Sequence, residues 1–177
     1  MKKVEISFIK GDISHQPEFE TVVNAANRWL APGGGVAGAI HRAAGPQLYE
    51  ECKKLAPIKP GQAVITSAYN LPNKFVIHCL GPVWGVDKPE DKILSSCYKN
   101  ALRLAEENRV SSIAFPVISA GAFGYPFKQA VKVALDAIES FLEEAPVKSI
   151  KKIGFVLYSE NEYKNFKEVF EKWQMKK

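Results

Sequence analysis

Several features that would point to other classes of protein are missing from this sequence of 177 residues. No segment approaches the ~20 consecutive apolar residues of a membrane-spanning helix. The first residues alternate polar and apolar side chains instead of forming the apolar stretch of a secretory leader. There is no low-complexity run, linker or internal repeat. We therefore expect one folded domain over residues 1–177 that works in the cytoplasm without contacting a membrane.

Cysteine is also scarce, since Cys52, Cys79 and Cys97 are the only three in the chain. Their number is odd, their spacing is wide, and none belongs to a CxxC pair or lies near a run of histidines, so the pattern of a zinc site is absent. We expect reduced thiols in the core, and we predict neither a metal nor a cofactor for this chain.

The formal charge of +5 does not by itself indicate a nucleic-acid-binding protein. The lysines are scattered and the densest group is the terminal segment Lys172–Lys177, whereas nucleic-acid-binding domains cluster basic residues on one face. Apolar residues make up 46% and charged residues 24% of the chain, as is ordinary for a globular domain. We do not expect nucleic acid as a partner, and the positive charge would equally favour the approach of an anionic ligand.

Strand-like and helix-like segments alternate along the chain, which predicts an α/β fold with a largely parallel sheet covered by helices on both faces. In such sheets, ligands lie beyond the carboxyl ends of the strands. The predicted strands are Val4–Phe8, Thr21–Ala25, the two-strand unit of Ala63–Thr66 and Phe75–Cys79, Ile113–Val117 and Ile153–Leu157. The predicted helices are Gly35–Ala44, Pro46–Leu55, Asp91–Glu107, Lys128–Phe141 and Asn161–Trp173.

Polar side chains stand at the ends of the first two predicted strands. Asp12 offers a carboxylate that suits a hydrogen bond from an exocyclic amine such as N6 of adenine, and the alternative is an Asp-based turn or a helix cap. Asn24 and Asn27 carry amides that both donate and accept, which matches the hydroxyls of a ribose. The alternative for the asparagines is bonding to the loop backbone.

Two glycine-rich loops give a sharper signal. Pro32–Gly38 contains three successive glycines, which let a backbone approach a ligand closely and direct its amides at an anion. A helix begins immediately afterwards, and its amino end favours phosphate. Ser119–Tyr125 follows a later strand in the same way. Together the two loops could hold a diphosphate from both sides.

The spacing of Gly33, Gly35 and Gly38 also fits GxGxxG, the fingerprint of dinucleotide-binding oxidoreductases. That fingerprint should follow a strand directly and precede an acidic residue that closes a second strand. Here Asn27–Pro32 intervene, and Glu50–Glu51 lies in a helix-like segment. A hydride-transferring enzyme is therefore the weaker alternative, and a P-loop is excluded because no GxxxxGK[ST] string occurs.

Three further side chains attract attention. Tyr158, at the end of the last strand, could stack on a base or pack as an ordinary half-buried aromatic. His41 lies inside the helix after the glycines, and His78 lies within an apolar strand. Neither has the Ser and Asp neighbours of a nucleophilic triad, so we predict structural roles for both.

The chain resembles the macro domain family of ADP-ribose binders, in particular its stand-alone bacterial and archaeal members. The resemblance extends from Val4 to about Phe170 and is carried, in chain order, by the segments GDI, VVNAAN, PGGGVAGAIHRAAG, VIH, FPVISAGAFGYP and FVLY. It implies a single macro domain with a three-layer α/β/α sandwich around a mixed, largely parallel sheet.

By the same resemblance, adenine would be held by Asp12 and the Ile13 backbone, the distal ribose would lie near Asn27, and Tyr158 would lie near the adenine. The glycine loops would hold the diphosphate. With Asn24 from the amide pattern, the expected ligand-binding residues are Asp12, Ile13, Asn24, Asn27, Gly34, Gly35, Val36, Ser119, Gly121, Ala122, Phe123 and Tyr158.

The sequence departs from the family's hydrolytic pattern at Ala37. Members that remove ADP-ribose from acidic side chains typically have aspartate there, in GGGVDGAIH, ten residues after the position of Asn27. Alanine can neither orient water nor exchange a proton, and the loss of such a group typically lowers a rate by about 10²–10⁴-fold. Binding should survive this replacement.

Three functions therefore remain open. The resemblance favours a protein that binds ADP-ribose, free or protein-linked, and slowly removes it from acidic side chains, with Asn27 as the catalytic candidate that orients the distal ribose and Gly121–Phe123 straining it towards cleavage. A reader module without chemistry and a phosphatase acting on ADP-ribose 1″-phosphate would use the same pocket. The expected partner is ADP-ribose or an ADP-ribosylated protein, and we expect a monomer.

Overall fold

A computed structural model describes residues 3–177, so that Met1 and Lys2, at the start of the predicted domain, lie outside the described residues. Within the described part, strands and helices alternate as the sequence predicts. The strands are β1 Glu5–Lys10, β2 Thr21–Ala25, β3 Ala63–Ser67, β4 Phe75–Cys79, β5 Ser112–Phe115 and β6 Lys152–Leu157. The helices are α1 Gly35–Ala44, α2 Gln47–Cys52, α3 Glu90–Glu107, α4 Phe127–Glu144 and α5 Glu160–Met175.

The strands form one six-stranded sheet in the order β1-β6-β5-β2-β4-β3. Neighbouring strands pair in parallel except for β3 and β4, which pair antiparallel. The largely parallel, mixed sheet and the predicted two-strand unit are therefore confirmed. Strand β1 occupies one edge and is only partly buried, as its alternating pattern predicts.

Helices cover both faces of the sheet because successive strand residues point to opposite sides. On β2, Val22 belongs to the core beneath α1 and α2, whereas Val23 belongs to the core beneath α3, α4 and α5. On β4, Val76 belongs to the core beneath α1 and α2, and Ile77 belongs to the core beneath α3, α4 and α5. Full burial of such a side chain contributes about 1.5–3 kcal/mol. The three-layer α/β/α sandwich is thus confirmed.

The edge strand β1 is joined to α5 by aromatic packing. The ring of Phe8 lies 5.1 Å from the rings of Phe166 and Phe170, within the range of favourable aromatic pairs. Helix α5 begins after Ser159, whose hydroxyl accepts a hydrogen bond of 3.1 Å from the backbone N–H of Glu162. The packing and the cap together fix the first turn of α5 beside the carboxyl end of β6.

Two helix ends differ from the predicted ones by three residues, and the other helix boundaries agree to within two residues. The helix predicted over Pro46–Leu55 ends earlier, at Cys52, and turns follow before Pro57. Helix α4 runs to Glu144, three residues beyond its predicted end, and stops at Ala145, which is extended. Ala145 precedes Pro146, and the helical conformation is sterically disfavoured for the residue before a proline. Helix α2 stops well before Pro57, so this effect does not explain its earlier end.

The cysteines are free and buried, as expected of reduced core residues. Burial raises the pKa of Cys52 and of Cys97 to about 12, and that of Cys79 well above its usual value. The thiols therefore stay protonated at neutral pH and act as small apolar side chains. Among residues 3–177, no helix is long and apolar enough to cross a membrane.

A buried polar network joins β2, β3 and β4. His78 is fully buried, and its Nδ1 lies 3.0 Å from the amide Nδ2 of Asn24. Because an amide NH₂ group only donates, Nδ1 accepts and the ring proton lies on Nε2, 2.9 Å from Oγ1 of Thr66. Thr66 donates in turn to the carbonyl of Ser67 at 3.0 Å. His78 is thus a neutral structural group, as predicted, and burial lowers its pKa to about 3, with a smaller contribution from His41.

The pKa of His78 predicts how stability depends on pH. Below the ordinary pKa of 6.5 the unfolded chain binds a proton on this ring, whereas the folded chain does not until about pH 3. The stabilisation is complete above pH 6.5 and is lost as the pH falls through this window, by about 1.4 kcal/mol for each pH unit. Urea unfolding should show this slope between pH 5 and 6.5 and level off above it, and His78→Gln should remove the larger part of it. Burial also lowers the pKa of His41, which contributes the remainder in the same window.

His15→Gln serves as the matched control, because His15 is exposed and makes no contact with this network. Its free energy of unfolding should follow the wild-type pH profile. If His78→Gln keeps the wild-type slope, the buried ring does not resist protonation and the network described above is wrong.

Candidate functional site

A cleft of about 440 Å³ opens at the carboxyl ends of the parallel strands. Loops that follow β1 and β5, the end of β6 and the start of α1 all contribute to it. A ligand site beyond the carboxyl ends of the strands is expected of such a sheet. The lining residues are Gly11, Asp12, Ile13, Gly35, Val36, Arg42, Pro116, Val117, Ala120, Gly121, Phe127, Val156, Tyr158 and Glu162.

Other hollows of similar volume lie on the helix surfaces, such as one of about 410 Å³ between α4 and α5. Two of its lysines are paired with carboxylates, Lys128 with Glu168 at 2.9 Å and Lys132 with Asp136 at 2.8 Å. No strand end contributes to its lining. The cleft at the strand ends is therefore the better candidate for a ligand site, because it combines loop backbone with unpaired side chains.

Asp12 makes a local turn and still offers a free acceptor. Its Oδ1 accepts hydrogen bonds from the hydroxyl of Ser14 at 2.6 Å and from the backbone N–H of Ser14 at 2.9 Å. Oδ2 makes no hydrogen bond to any of the described residues. The bonds from Ser14, helped by the positive charges of His15 and Arg42, hold the pKa of Asp12 below its ordinary 3.8. The side chain is thus an ionised acceptor, and the turn and the ligand contact are compatible.

The first glycine loop presents the amino end of α1. Gly34 caps the helix without a side-chain hydrogen bond, and no acidic residue stands in the first turn, so the terminal N–H groups remain available to an anion. Gly35 has φ of +54°, a conformation that favours glycine. A Cβ on Gly38 would collide with the carbonyl of Gly33 and with Nη1 of Arg42. The loop therefore lies directly on the helix that it opens.

The start of the second glycine loop is held in place by Tyr98 of α3. The buried hydroxyl of Tyr98 donates to the carbonyl of Pro116 at 3.3 Å and accepts from the backbone N–H of Ile118 at 3.0 Å. Ser119 has φ of +68° and its side chain packs against Gly81. These contacts leave the following residues of the loop, Ala120 and Gly121, at the surface of the cleft.

Asn24 does not lie where the sequence predicts a ligand contact. Only 1% of the residue is exposed, and its amide donates to His78 in the interior of the fold. It is not among the residues that line the cleft. Its side chain therefore serves the β2–β4 pairing, and the predicted contact with ribose is wrong for this residue.

Asn27 is half-buried beside the first glycine loop. Its Oδ1 accepts from the backbone N–H groups of Trp29 at 3.1 Å and Ala31 at 3.0 Å, and its Nδ2 donates to the carbonyl of Ala31 at 2.9 Å. Bonding to the loop backbone, the alternative to a ligand contact, is thus present. An amide nitrogen carries two protons, so one N–H of Asn27 has no acceptor among the described residues. Nδ2 lies 3.5 Å from where a Cβ on Gly33 would be.

The remaining predicted residues surround the cleft. Tyr158 is 75% exposed at its mouth. Gly34, Ser119, Ala122 and Phe123 belong to the two glycine loops but do not line the cleft itself. Their predicted contacts with a ligand stay predictions.

Sequence reasoning missed three lining residues that project from helices, namely Arg42, Phe127 and Glu162. Arg42 on α1 and Glu162 on α5 are single charges on amphipathic helices, which ordinarily mark a solvated face. The one available signal was the spacing of Gly38 and Arg42, since residues four apart on a helix share a face.

The contact between Gly38 and the first loop predicts an unusual response to alanine. Glycine to alanine inside a helix ordinarily stabilises by about 0.5–1 kcal/mol, but Gly38→Ala should lower the free energy of unfolding by about 1–3 kcal/mol because the methyl group has no space. Gly121→Ala is the control for the added methyl group, since Gly121 has no positive φ and nothing lies within 4 Å of its added Cβ. Urea unfolding should leave Gly121→Ala within about 0.5 kcal/mol of wild type. A stabilised Gly38→Ala would contradict the close packing.

Comparisons with known proteins agree with this architecture. The Macro domain family model matches residues 23–134. A macro domain-containing protein of Methanosarcina mazei is 44% identical over 94% of this chain and 88% of its own length. The O-acetyl-ADP-ribose deacetylase of Enterobacter cloacae is 47% identical over 89% of both chains.

Solved structures show the same likeness. The macrodomain of Oceanobacillus iheyensis, solved with ADP, superimposes with a TM-score of 0.89 and 38% identity over 96% of this chain and 92% of its own. The matched family model includes both glycine loops, and the relatives cover nearly the whole sandwich. This chain belongs to the macro domain family.

Proposed function

We propose that the cleft binds ADP-ribose, either free or attached to a protein, and that the protein slowly hydrolyses ADP-ribose from acidic side chains. The observation that carries the proposal is the meeting of two glycine-rich loops at the open amino end of α1, with an ionised acceptor and an exposed aromatic ring at the other end of the same cleft. The bound ADP of the Oceanobacillus macrodomain and the name of the Enterobacter relative support it.

The base end of the cleft suits adenine. Asp12 offers Oδ2 to the exocyclic amine, and Ile13 and Val156 provide an apolar floor. Tyr158 is exposed enough to lie against the face of a purine, and an aromatic ring stacks well on a base. A base with a carbonyl in place of the amine would bring two acceptors together, so the site should favour adenine over guanine.

The diphosphate would occupy the space between the two glycine loops. The free N–H groups at the start of α1 provide donors and the positive end of the helix dipole, and the opposing loop contributes Ala120 and Gly121. Because Tyr98 and Gly38 hold the two loops in place, little ordering is required when the anion binds, which favours affinity.

The chemistry would take place at the distal ribose, near Asn27 and Ala37. Both residues flank Gly33, since a Cβ added there would lie 3.5 Å from Nδ2 of Asn27 and 3.9 Å from Cβ of Ala37. The free N–H of Asn27 can bond to a ribose hydroxyl. Ala37 supplies no acid or base, so water must be oriented without a carboxylate at this position, and hydrolysis should be slow.

Replacement Asp12→Ala should weaken ADP-ribose binding at pH 7 by about 10–100-fold, because a hydrogen bond to a charged acceptor contributes about 1.5–3 kcal/mol. Isothermal titration calorimetry measures this loss. Ser14→Ala tests whether the turn alone matters, since it removes the hydroxyl bond but keeps the ionised carboxylate, and its loss should be much smaller. Glu18→Ala, an exposed carboxylate outside the cleft, serves as the matched control. Wild-type affinity in Asp12→Ala would refute the assignment of the base end.

Replacement Ala37→Asp should raise the rate of hydrolysis by about 10²-fold or more, because it places a carboxylate beside Asn27 where water can be oriented and deprotonated. The measurement is ADP-ribose released over time from a protein mono-ADP-ribosylated on glutamate, in large excess over the enzyme. Wild type should complete many slow turnovers.

Ala37→Asn separates chemistry from shape in the same assay. Asparagine has the size of aspartate but cannot accept a proton as a base, so this variant should remain as slow as wild type. Wild-type protein that retains the modified target without any release would act as a reader only, and the hydrolytic half of the proposal would be wrong. Equal gains for both variants would show that shape, not proton transfer, limits the rate.

A further inference from the structure

Arg42 provides a positive charge inside the cleft that the proposed contacts with base, diphosphate and distal ribose do not use. It is exposed on α1 and lines the cleft together with Asp12, Gly35 and Glu162. Its guanidinium forms no ion pair within 4 Å with a carboxylate of the described residues. An arginine without a partner in a concave site is available to an anionic ligand.

The guanidinium lies beside the first glycine loop and not at its tip. Helical side chains lean towards the amino end of their helix, and Nη1 of Arg42 lies 2.9 Å from where a Cβ on Gly38 would be, one turn back. The free N–H groups that suit the diphosphate lie further back, at the cap formed by Gly34. Nη1 of Arg42 therefore lies next to Gly38 and the carbonyl of Gly33, and the free N–H groups of the cap lie about one helical turn further back.

Arg42 lines the same cleft as Asp12, which stands at its base end. The positive charge of Arg42 makes the smallest of the contributions that lower the pKa of the Asp12 carboxyl. If Asp12 holds the adenine and Gly35 borders the diphosphate, the segment between them holds the adenosine ribose. A substituent that faces Arg42 would therefore be attached at the 2′ or 3′ position of that ribose.

We infer that Arg42 is a specificity-determining residue that lets the cleft accept an ADP-ribose carrying a phosphate on its adenosine ribose. The inference rests on the proposed binding of ADP-ribose. Its chemistry is that of dinucleotide sites, where an acidic residue bonds to a free 2′-hydroxyl and a nearby arginine accommodates a 2′-phosphate. A planar guanidinium binds phosphate through two parallel hydrogen bonds.

Glu162 carries the opposite charge to Arg42, so replacing it gives a second test of phosphate tolerance. Its carboxylate lines the same cleft from the first turn of α5, and it forms no ion pair within 4 Å with a cation of the described residues. A phosphate on the adenosine ribose would be attracted by Arg42 and repelled by Glu162 and Asp12. Removal of one or the other charge should therefore change phosphate tolerance in opposite directions.

The test compares the affinities of ADP-ribose and ADP-ribose 2′-phosphate for the full chain by calorimetry at low salt. The measured quantity is the ratio of the two affinities, so that a general loss of binding cancels. Arg42→Ala should lower the ratio for the phosphorylated ligand by about tenfold, and Glu162→Gln should raise it several-fold. Arg103→Ala, which removes an exposed arginine on α3 outside the cleft, should leave the ratio unchanged.

The outcomes separate this inference from the proposed function. Wild-type protein that binds neither ligand would refute ADP-ribose binding itself. Binding of both ligands with a ratio that Arg42→Ala does not change would overturn the inference alone, because Arg42 would then contact a group common to both. A ratio that falls in Arg42→Ala and rises in Glu162→Gln would establish that these two charges determine whether the cleft accepts a phosphate on the adenosine ribose.

Discussion

The site depends on the parallel alignment of β1, β6, β5 and β2, which brings their carboxyl ends to one edge of the sheet. The register pairs Lys10 with Leu157 at the ends of β1 and β6, and Gly11 still donates to the carbonyl of Leu157 at 2.8 Å. The loop that carries Asp12 therefore leaves the sheet beside Tyr158. Antiparallel strands would have sent alternate loops to opposite edges, and no shared cleft could have formed.

Close contacts beneath the loops make the shared edge into a rigid site. Gly38 allows the backbone of the first loop to lie on α1, and Tyr98 ties the second loop to α3 through its hydroxyl. Neither residue needs to touch a ligand. Their effect is to hold backbone N–H groups in place before an anion arrives, and such donors cost little reorganisation when they are used.

The order of elements and the positions of both glycine loops follow from local patterns, because strand alternation, helical spacing and glycine runs are properties of neighbouring residues. The role of Asn24 could not be predicted in this way. Its amide is buried because the register of β2 and β4 sets it opposite His78, and a register between strands distant in sequence leaves no local trace. Arg42 was missed for a related reason. A charged residue on a helix can be assigned to a cleft only when the positions of the neighbouring loops are known.

Binding and chemistry are separable in this architecture. The proposed contacts with the diphosphate come from backbone N–H groups, which do not depend on the side chain at position 37, so alanine at this position is compatible with the proposed binding. Ala37 is also 94% buried against the first loop, with only 6% of its surface exposed. A methyl group fits there without desolvating a charge, whereas a carboxylate would need a hydrogen-bonding partner such as Asn27. The alanine therefore favours a stable loop at the expense of a general base.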